Sequence, residues 1–288
     1  MQNRLVLVST VGILLLAGCT TTQTTTTNGR LKVATSFYPL YYFASQIGGD
    51  YAAVTNLTPT GTEPHDYELT PQDIAAIQDS QLLVLNGGQL EPWVEDVTAD
   101  LSSNTIIVEV VTGLTDPHVW LSPQRAKAEV EKITDGFIQA DPSHVTDYTT
   151  NSQALLDRLD QLDTQYADGL ANCDSNVIIT SHAAFSYLAS DYGLEQLSIA
   201  GLSPEAEPSL DELADITDFS KQNNVHYIFF ESLVSPKLAE TIANEIGAAT
   251  LVLNPIEGLT DEEVAAGEDY VTVMQTNLIN LQTALGCQ

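Results

Sequence analysis

The chain has 288 residues, 43% of them hydrophobic, which is more than a single core usually fills, so two lobes are expected. Nine Lys and Arg against 39 Asp and Glu leave a formal net charge of −30 at pH 7. A field of that sign excludes nucleic acid and anionic lipid surfaces as partners and gathers cations; it serves solubility equally well.

In chain order, Arg4 stands in a short leading region and residues 5–17 form an apolar run too short to span a bilayer. The run ends at Leu16-Ala17-Gly18-Cys19, which fits the bacterial lipobox, so residues 1–18 are read as a lipoprotein signal peptide. Cleavage would leave Cys19 to be lipidated, tethering the mature protein to the outer face of the cell membrane. Residues 19–29, rich in Thr, have almost nothing to bury and are expected to be a flexible tether.

From residue 30 short apolar runs alternate with helical stretches. Strands are predicted at 31–35, 54–58, 82–86 and 105–111, with a helix over 38–48. Thr70-Pro71 and Ser122-Pro123 each pair an N-cap residue with a proline suited to the first helical position. The helix opened by Pro123 breaks at Asp141-Pro142, where another begins. Over 142–171 the apolar residues Val145, Tyr148, Leu155, Leu159, Leu162, Tyr166 and Leu170 recur mostly at helical steps, predicting one long amphipathic helix. It is read as a rigid linker between an N-terminal α/β lobe at 30–141 and a C-terminal α/β lobe at 172–288. The second lobe repeats the alternation, with strands at 177–180, 196–199, 226–230 and 250–253. Ser209 and Glu212 form a capping box, Ser235-Pro236 opens another helix, and the last helix runs from about 261 or 267 to 285. The fold class is therefore α/β, with parallel sheets flanked by helices in each lobe.

If Cys19 is acylated, Cys173 and Cys287 remain. Outside the cytoplasm such a pair reads as a disulfide, which would staple the chain's end to the start of the second lobe.

The five histidines carry the functional argument. His65, His118 and His182 each lie on a loop between a predicted strand and the next helix, the edge at which open α/β sheets bind ligands. His144 falls near the domain junction and His226 at the start of a strand, so both are read as structural or surface residues. A fourth ligand from the same edge is Glu257, after the strand at 250–253, or Glu231, after the strand at 226–230. Three imidazoles and one carboxylate suit Zn²⁺ well and Mn²⁺ acceptably.

Four motifs stand in order behind the lipobox. They are Glu63-Pro64-His65-Asp66-Tyr67-Glu68, Asp116-Pro117-His118-Val119-Trp120-Leu121-Ser122-Pro123, Thr180-Ser181-His182-Ala183-Ala184-Phe185, and Gly201-Leu202-Ser203-Pro204-Glu205-Ala206-Glu207-Pro208-Ser209. With them the chain resembles the zinc/manganese-binding lipoproteins of ABC importers, the cluster A-I solute-binding proteins. The resemblance implies two lobes joined by a rigid long helix, with metal in the cleft between them. It further implies His65, His118 and His182 as ligands, with Glu257 of Asn254-Pro255-Ile256-Glu257-Gly258 as the fourth. His182 and Glu257 favour the zinc version over the manganese one. Many zinc members carry a His- and Asp-rich insert between the first two ligand histidines, and nothing between His65 and His118 resembles it.

Four protein ligands leave no open position for water, which points to transport of the ion and not to catalysis. The implied partners are an ABC permease with its ATPase, and the membrane through Cys19; no nucleic acid is expected, and a monomer is. Trp120 either packs under His118 or is a plain core residue, on equal grounds; Asp66 or Glu68 is placed to orient His65, although a solvated acid is the commoner fate on such a loop. A secreted zinc hydrolase, with Glu257 or Glu231 as base, is the competing enzyme reading; no H-E-x-x-H or G-x-S-x-G motif supports it. A surface adhesin is the third class.

Overall fold

The computed structural model describes residues 29–88, 90–99 and 101–288; the leader, Cys19 and most of the tether fall outside the described residues. The first lobe runs β1 (Leu31–Thr35), α1 (Tyr38–Gly48), β2 (Ala52–Asn56), α2 (Pro71–Asp79), β3 (Leu82–Gly87), α3 (Val94–Thr98), β4 (Ile106–Val111) and α4 (Pro123–Ala140). Its four strands are parallel in the order β2-β1-β3-β4. The central strand β3 is buried from Leu82 to Asn86, which explains an unbroken apolar run where an exposed face would need alternation. Strand β2 starts two residues before the predicted run, because the register is set by Leu31 pairing with Ala52.

The long helix is α5 (Val145–Gly169), entered through a short 3-10 turn at Pro142–His144. Asp141 shapes this entry: its carboxylate accepts the Ser143 N–H at 3.2 Å and pairs with His144 at 2.6 Å. Along α5 the buried residues are Tyr148, Ser152, Leu155, Leu159, Leu162 and Tyr166, the stripe that the sequence periodicity marks.

The second lobe runs β5 (Val177–Thr180), α6 (Ser186–Tyr192), β6 (Glu195–Ser198), α7 (Leu210–Gln222), β7 (Tyr227–Phe230), α8 (Lys237–Ile246), β8 (Ala249–Val252), α9 (Asp261–Ala266) and α10 (Tyr270–Leu285). Its strands form two parallel hydrogen-bonded pairs, β5-β6 and β7-β8, with β5 lying beside β7. The terminal helix is also divided. Gly267, at φ 78°, closes α9 in the left-handed region, and Asp269 caps α10 through the Thr272 N–H. Pro236 precedes α8 as its cap residue, so the expected Ser235 cap is not made.

The lobes share their largest core. It runs from Leu31, Phe43 and Phe137 of the first lobe through Tyr148 and Tyr166 of α5 to Phe229, Tyr270 and Leu281 of the second. Tyr270 stacks on Tyr42 at 5.6 Å and donates its hydroxyl to the Trp120 carbonyl at 2.5 Å. Apolar packing on this scale resists wide hinge opening and leaves small rocking or loop movement as the available motions. A disulfide joins Cys173 to Cys287 across a sequence separation of 114.

Candidate metal centre

Each candidate ligand follows the carboxyl end of a parallel strand. His65 lies on the loop from β2 to α2, His118 between β4 and α4, His182 between β5 and α6, and Glu257 between β8 and α9. One ligand atom from each of these four residues lies within 4.8 Å of all the others. Glu257 Oε1 is the hub: it stands 3.3 Å from His65 Nε2, 3.2 Å from His118 Nε2 and 3.3 Å from His182 Nε2. The Nε2 atoms of His118 and His182 are 3.3 Å apart. A tetrahedron with zinc–nitrogen bonds of about 2.0–2.1 Å has edges of about 3.3–3.4 Å. The four separations of 3.2–3.3 Å match edges of a tetrahedral Zn²⁺ shell, and the remaining two, from His65 to the other rings, lie within 4.8 Å.

His118, His182 and Glu257 are no more than 1% exposed, and two further carboxylates hold the buried rings. Asp116 Oδ1 lies 2.8 Å from His118 Nδ1 and also accepts that residue's backbone N–H at 3.0 Å. Glu231 Oε1 lies 2.7 Å from His182 Nδ1 and accepts its backbone N–H at 3.2 Å. With Nδ1–H directed at a carboxylate, each ring presents Nε2 to the centre, the arrangement by which carboxylates orient metal-binding imidazoles. The two acids that the sequence leaves as alternatives therefore divide the work: Glu257 faces the cluster, and Glu231 stands behind His182.

The charges are strongly coupled. Burial alone would lower the His182 pKa, but the Glu257 and Glu231 carboxylates raise it to about 10. Burial opposes charge on His118 too, and the hydrogen bonds its ring donates to the Asp116 and Glu257 carboxylates override it, raising that pKa. Burial would raise the Glu257 pKa; the facing imidazoles hold it well below the ordinary carboxylate range. The metal-free cluster therefore keeps protons that an entering cation must expel.

His65 is held differently. Its side chain is 9% exposed; Glu63 Oε2 accepts its backbone N–H at 3.1 Å, and among the described residues no acid pairs with its Nδ1 as Asp116 and Glu231 do for the other two rings. Burial and the nearby Glu257 push the Glu63 pKa up to about 8. Asp66 and Glu68 are exposed and make no hydrogen bond to the His65 ring among the described residues. The His65 loop meets the Glu257 loop through one backbone bond, Gly61 N–H to the Leu259 carbonyl at 2.8 Å. Gly258 permits that approach, since a Cβ there would stand 3.3 Å from the Thr62 carbonyl and 3.2 Å from the Leu233 side chain.

The Glu257 loop is itself overdetermined. Ile256 has φ 57°, a conformation costly for a β-branched residue. Asn254 Oδ1 accepts the Ile256 N–H at 2.7 Å, and Asn277 exchanges two bonds with the Asn254 backbone. Trp120 sits with its ring 5.2 Å from His118 and donates its indole N–H to the Pro255 carbonyl at 2.8 Å, tying a ligand segment of one lobe to that of the other. His144 stacks on Tyr51 at 4.3 Å, His226 is exposed, and neither joins the cluster.

Sequence reasoning did not single out Asp116 or assign Glu231 its supporting place. One signal was available. Both Glu63-Pro64-His65 and Asp116-Pro117-His118 place an acid two residues before a histidine, and in both the acid accepts that histidine's backbone N–H. For Glu231 there was no local mark, because it reaches His182 across 49 positions.

Fold and cluster together define a two-lobed α/β protein of the solute-binding class. Over residues 33–284 the chain matches the family described as ZnuA, zinc-uptake complex component A, periplasmic, and it belongs to that family. It is 40% identical over 275 residues to the zinc-binding lipoprotein AdcA of Streptococcus pneumoniae, covering 87% of this chain and 55% of that protein. The chain thus spans little more than half the length of that relative. It is also 40% identical over 280 residues to the high-affinity zinc uptake system protein ZnuA of Bacillus subtilis, covering 89% of this chain and 88% of that protein. The crystal structure of the Zn(II)-bound ZnuA-like domain of Streptococcus pneumoniae AdcA superposes with TM-score 0.79 at 41% identity, covering 89% of this chain and 99% of that one.

Proposed function

We infer that this protein captures Zn²⁺ outside the cytoplasm and presents it to an ABC permease and its ATPase for import. The observation that carries this reading is the set of 3.2–3.3 Å separations around Glu257 Oε1, which match the edges of a zinc tetrahedron with three imidazoles and one carboxylate. His65, His118, His182 and Glu257 act as the ligands. Mn²⁺ prefers more oxygen donors and more positions than this cluster offers, so zinc is the better occupant. All four corners come from protein, which suits an ion that is carried and not used in catalysis. The names of the AdcA and ZnuA relatives support the same reading.

Cys19 anchors the mature chain to the outer face of the membrane, and the protein works as a monomer, with residues 142–171 linking the lobes. The test is elemental analysis of protein purified without added metal, followed by competitive titration with Zn²⁺ and Mn²⁺. One zinc per chain, bound in preference to manganese and lost in His118→Ala, is the expected result. Unaltered zinc content in that variant would overturn the site.

A further inference from the structure

Helix α6 begins four residues after His182, and it reaches into the other lobe on both sides of His118. Asp191 of α6 receives Arg125 Nε at 2.6 Å and Nη2 at 2.7 Å, a two-pronged bond with good geometry for a guanidinium and a carboxylate. The same carboxylate accepts the Ser122 hydroxyl at 2.7 Å. That contact explains why Ser122 stands at the start of α4 without bonding the helix's own N–H groups. The Arg125 guanidinium also lies over the Tyr187 ring at 4.5 Å. Tyr187 in turn donates its hydroxyl to the Asp116 carbonyl at 3.1 Å, and Asp116 is the acid that holds the His118 ring.

We propose that Arg125, Asp191 and Tyr187 form a clamp between the lobes that positions His118 against His182 and sets how fast a bound cation leaves. They are positioning residues, since none of them is among the four that offer ligand atoms. Residues 116 and 122–125 bracket His118, and both are tied to the helix that follows His182, so the two rings move as one unit while the clamp is closed. Opening it frees Asp116 to turn, and the His118 ring turns with it. This proposal rests on the metal-binding reading above.

The experiment measures zinc dissociation from the loaded full-length protein into excess chelator, comparing wild type with Arg125→Gln, Tyr187→Phe and the control Lys127→Gln. Lys127 lies on the same helix, pairs with Asp160 of α5 at 2.6 Å and belongs neither to the four candidate ligands nor to the clamp. Arg125→Gln should speed release about tenfold, the size of effect typical of groups supporting a metal ligand, with one zinc still bound per chain. Tyr187→Phe should speed it to a smaller extent, and adding it to Arg125→Gln should give less than the product of the two. Lys127→Gln should release at the wild-type rate. The proposal is overturned if Arg125→Gln keeps the wild-type rate, or if Lys127→Gln speeds release as much. A wild-type protein that binds no zinc would sink the metal-binding reading instead. The clamp is then judged on the ring-nitrogen shifts of His118 in the metal-free protein, which Arg125→Gln must change and Lys127→Gln must not.

Discussion

The two halves of the cluster are held in opposite ways. His118 and His182 are fully buried, each ring is gripped by its own carboxylate, and a charged clamp joins their segments. His65 rides on a loop, partly exposed, and among the described residues no carboxylate backs its Nδ1; Glu257 alone faces its ring, and a backbone bond joins that loop to the Glu257 loop. On the proposed reading, this contrast lets one site combine firm binding with exchange. The preorganised half lowers the cost of ordering on binding, and the loosely held ligand supplies the part that can yield without disturbing the shared core.

The largest expected effects come from the ligands of the rigid half. His118→Ala or His182→Ala should weaken zinc binding by on the order of a thousandfold, read by competitive titration, because one corner of the shell is lost. Either should also abolish most of the zinc-induced rise in melting temperature, while His144→Ala leaves that rise intact. If His65→Ala costs as much as His182→Ala, the two halves are energetically alike and the contrast fails.

Next come the supporting acids. Asp116→Asn and Glu231→Gln should each weaken binding by about 10–100-fold. Glu63→Gln, which disturbs only a backbone contact in the His65 loop, should cost less than either by the same titration. Gly258→Ala should cost only a few-fold, since its Cβ crowds the Thr62 carbonyl at 3.3 Å and presses the two loops apart.

Protonation sharpens the comparison further. His182 has its pKa raised to about 10 in the folded, metal-free protein against an ordinary 6.5. Its contribution to stability is complete below the ordinary value and is lost as pH rises through 10. Glu257, with a lowered pKa, contributes above the ordinary carboxylate range and loses that contribution as pH falls through its depressed value. Zinc binding near pH 7 should therefore release protons and weaken steeply toward pH 5. Calorimetry in buffers of different ionisation enthalpy reads the release, and a binding heat independent of buffer would contradict it.

Much of this arrangement was legible from residue pattern. The strand–loop–helix placement of His65, His118 and His182 identifies a common edge, since parallel strands deliver their following loops to one side. The stripe from Tyr148 to Tyr166 marks the long helix because its burial follows the helical period. What stayed hidden depends on side chains meeting across distance. Ser122 reads as an ordinary cap, yet its hydroxyl goes to Asp191, 69 positions away. Glu129 looks like a solvated helix acid, but it is wholly buried, its carboxyl pushed up to about 8 by that burial, with neither oxygen bonded among the described residues.

The bond between Cys173 and Cys287 encloses His182, Glu231 and Glu257 within a single covalent ring. A protease that cut the exposed turn around Glu205 would open that ring without dividing the molecule. Both fragments would stay attached, each still carrying its share of the candidate binding residues, so the molecule can survive a nick that would otherwise dismantle it.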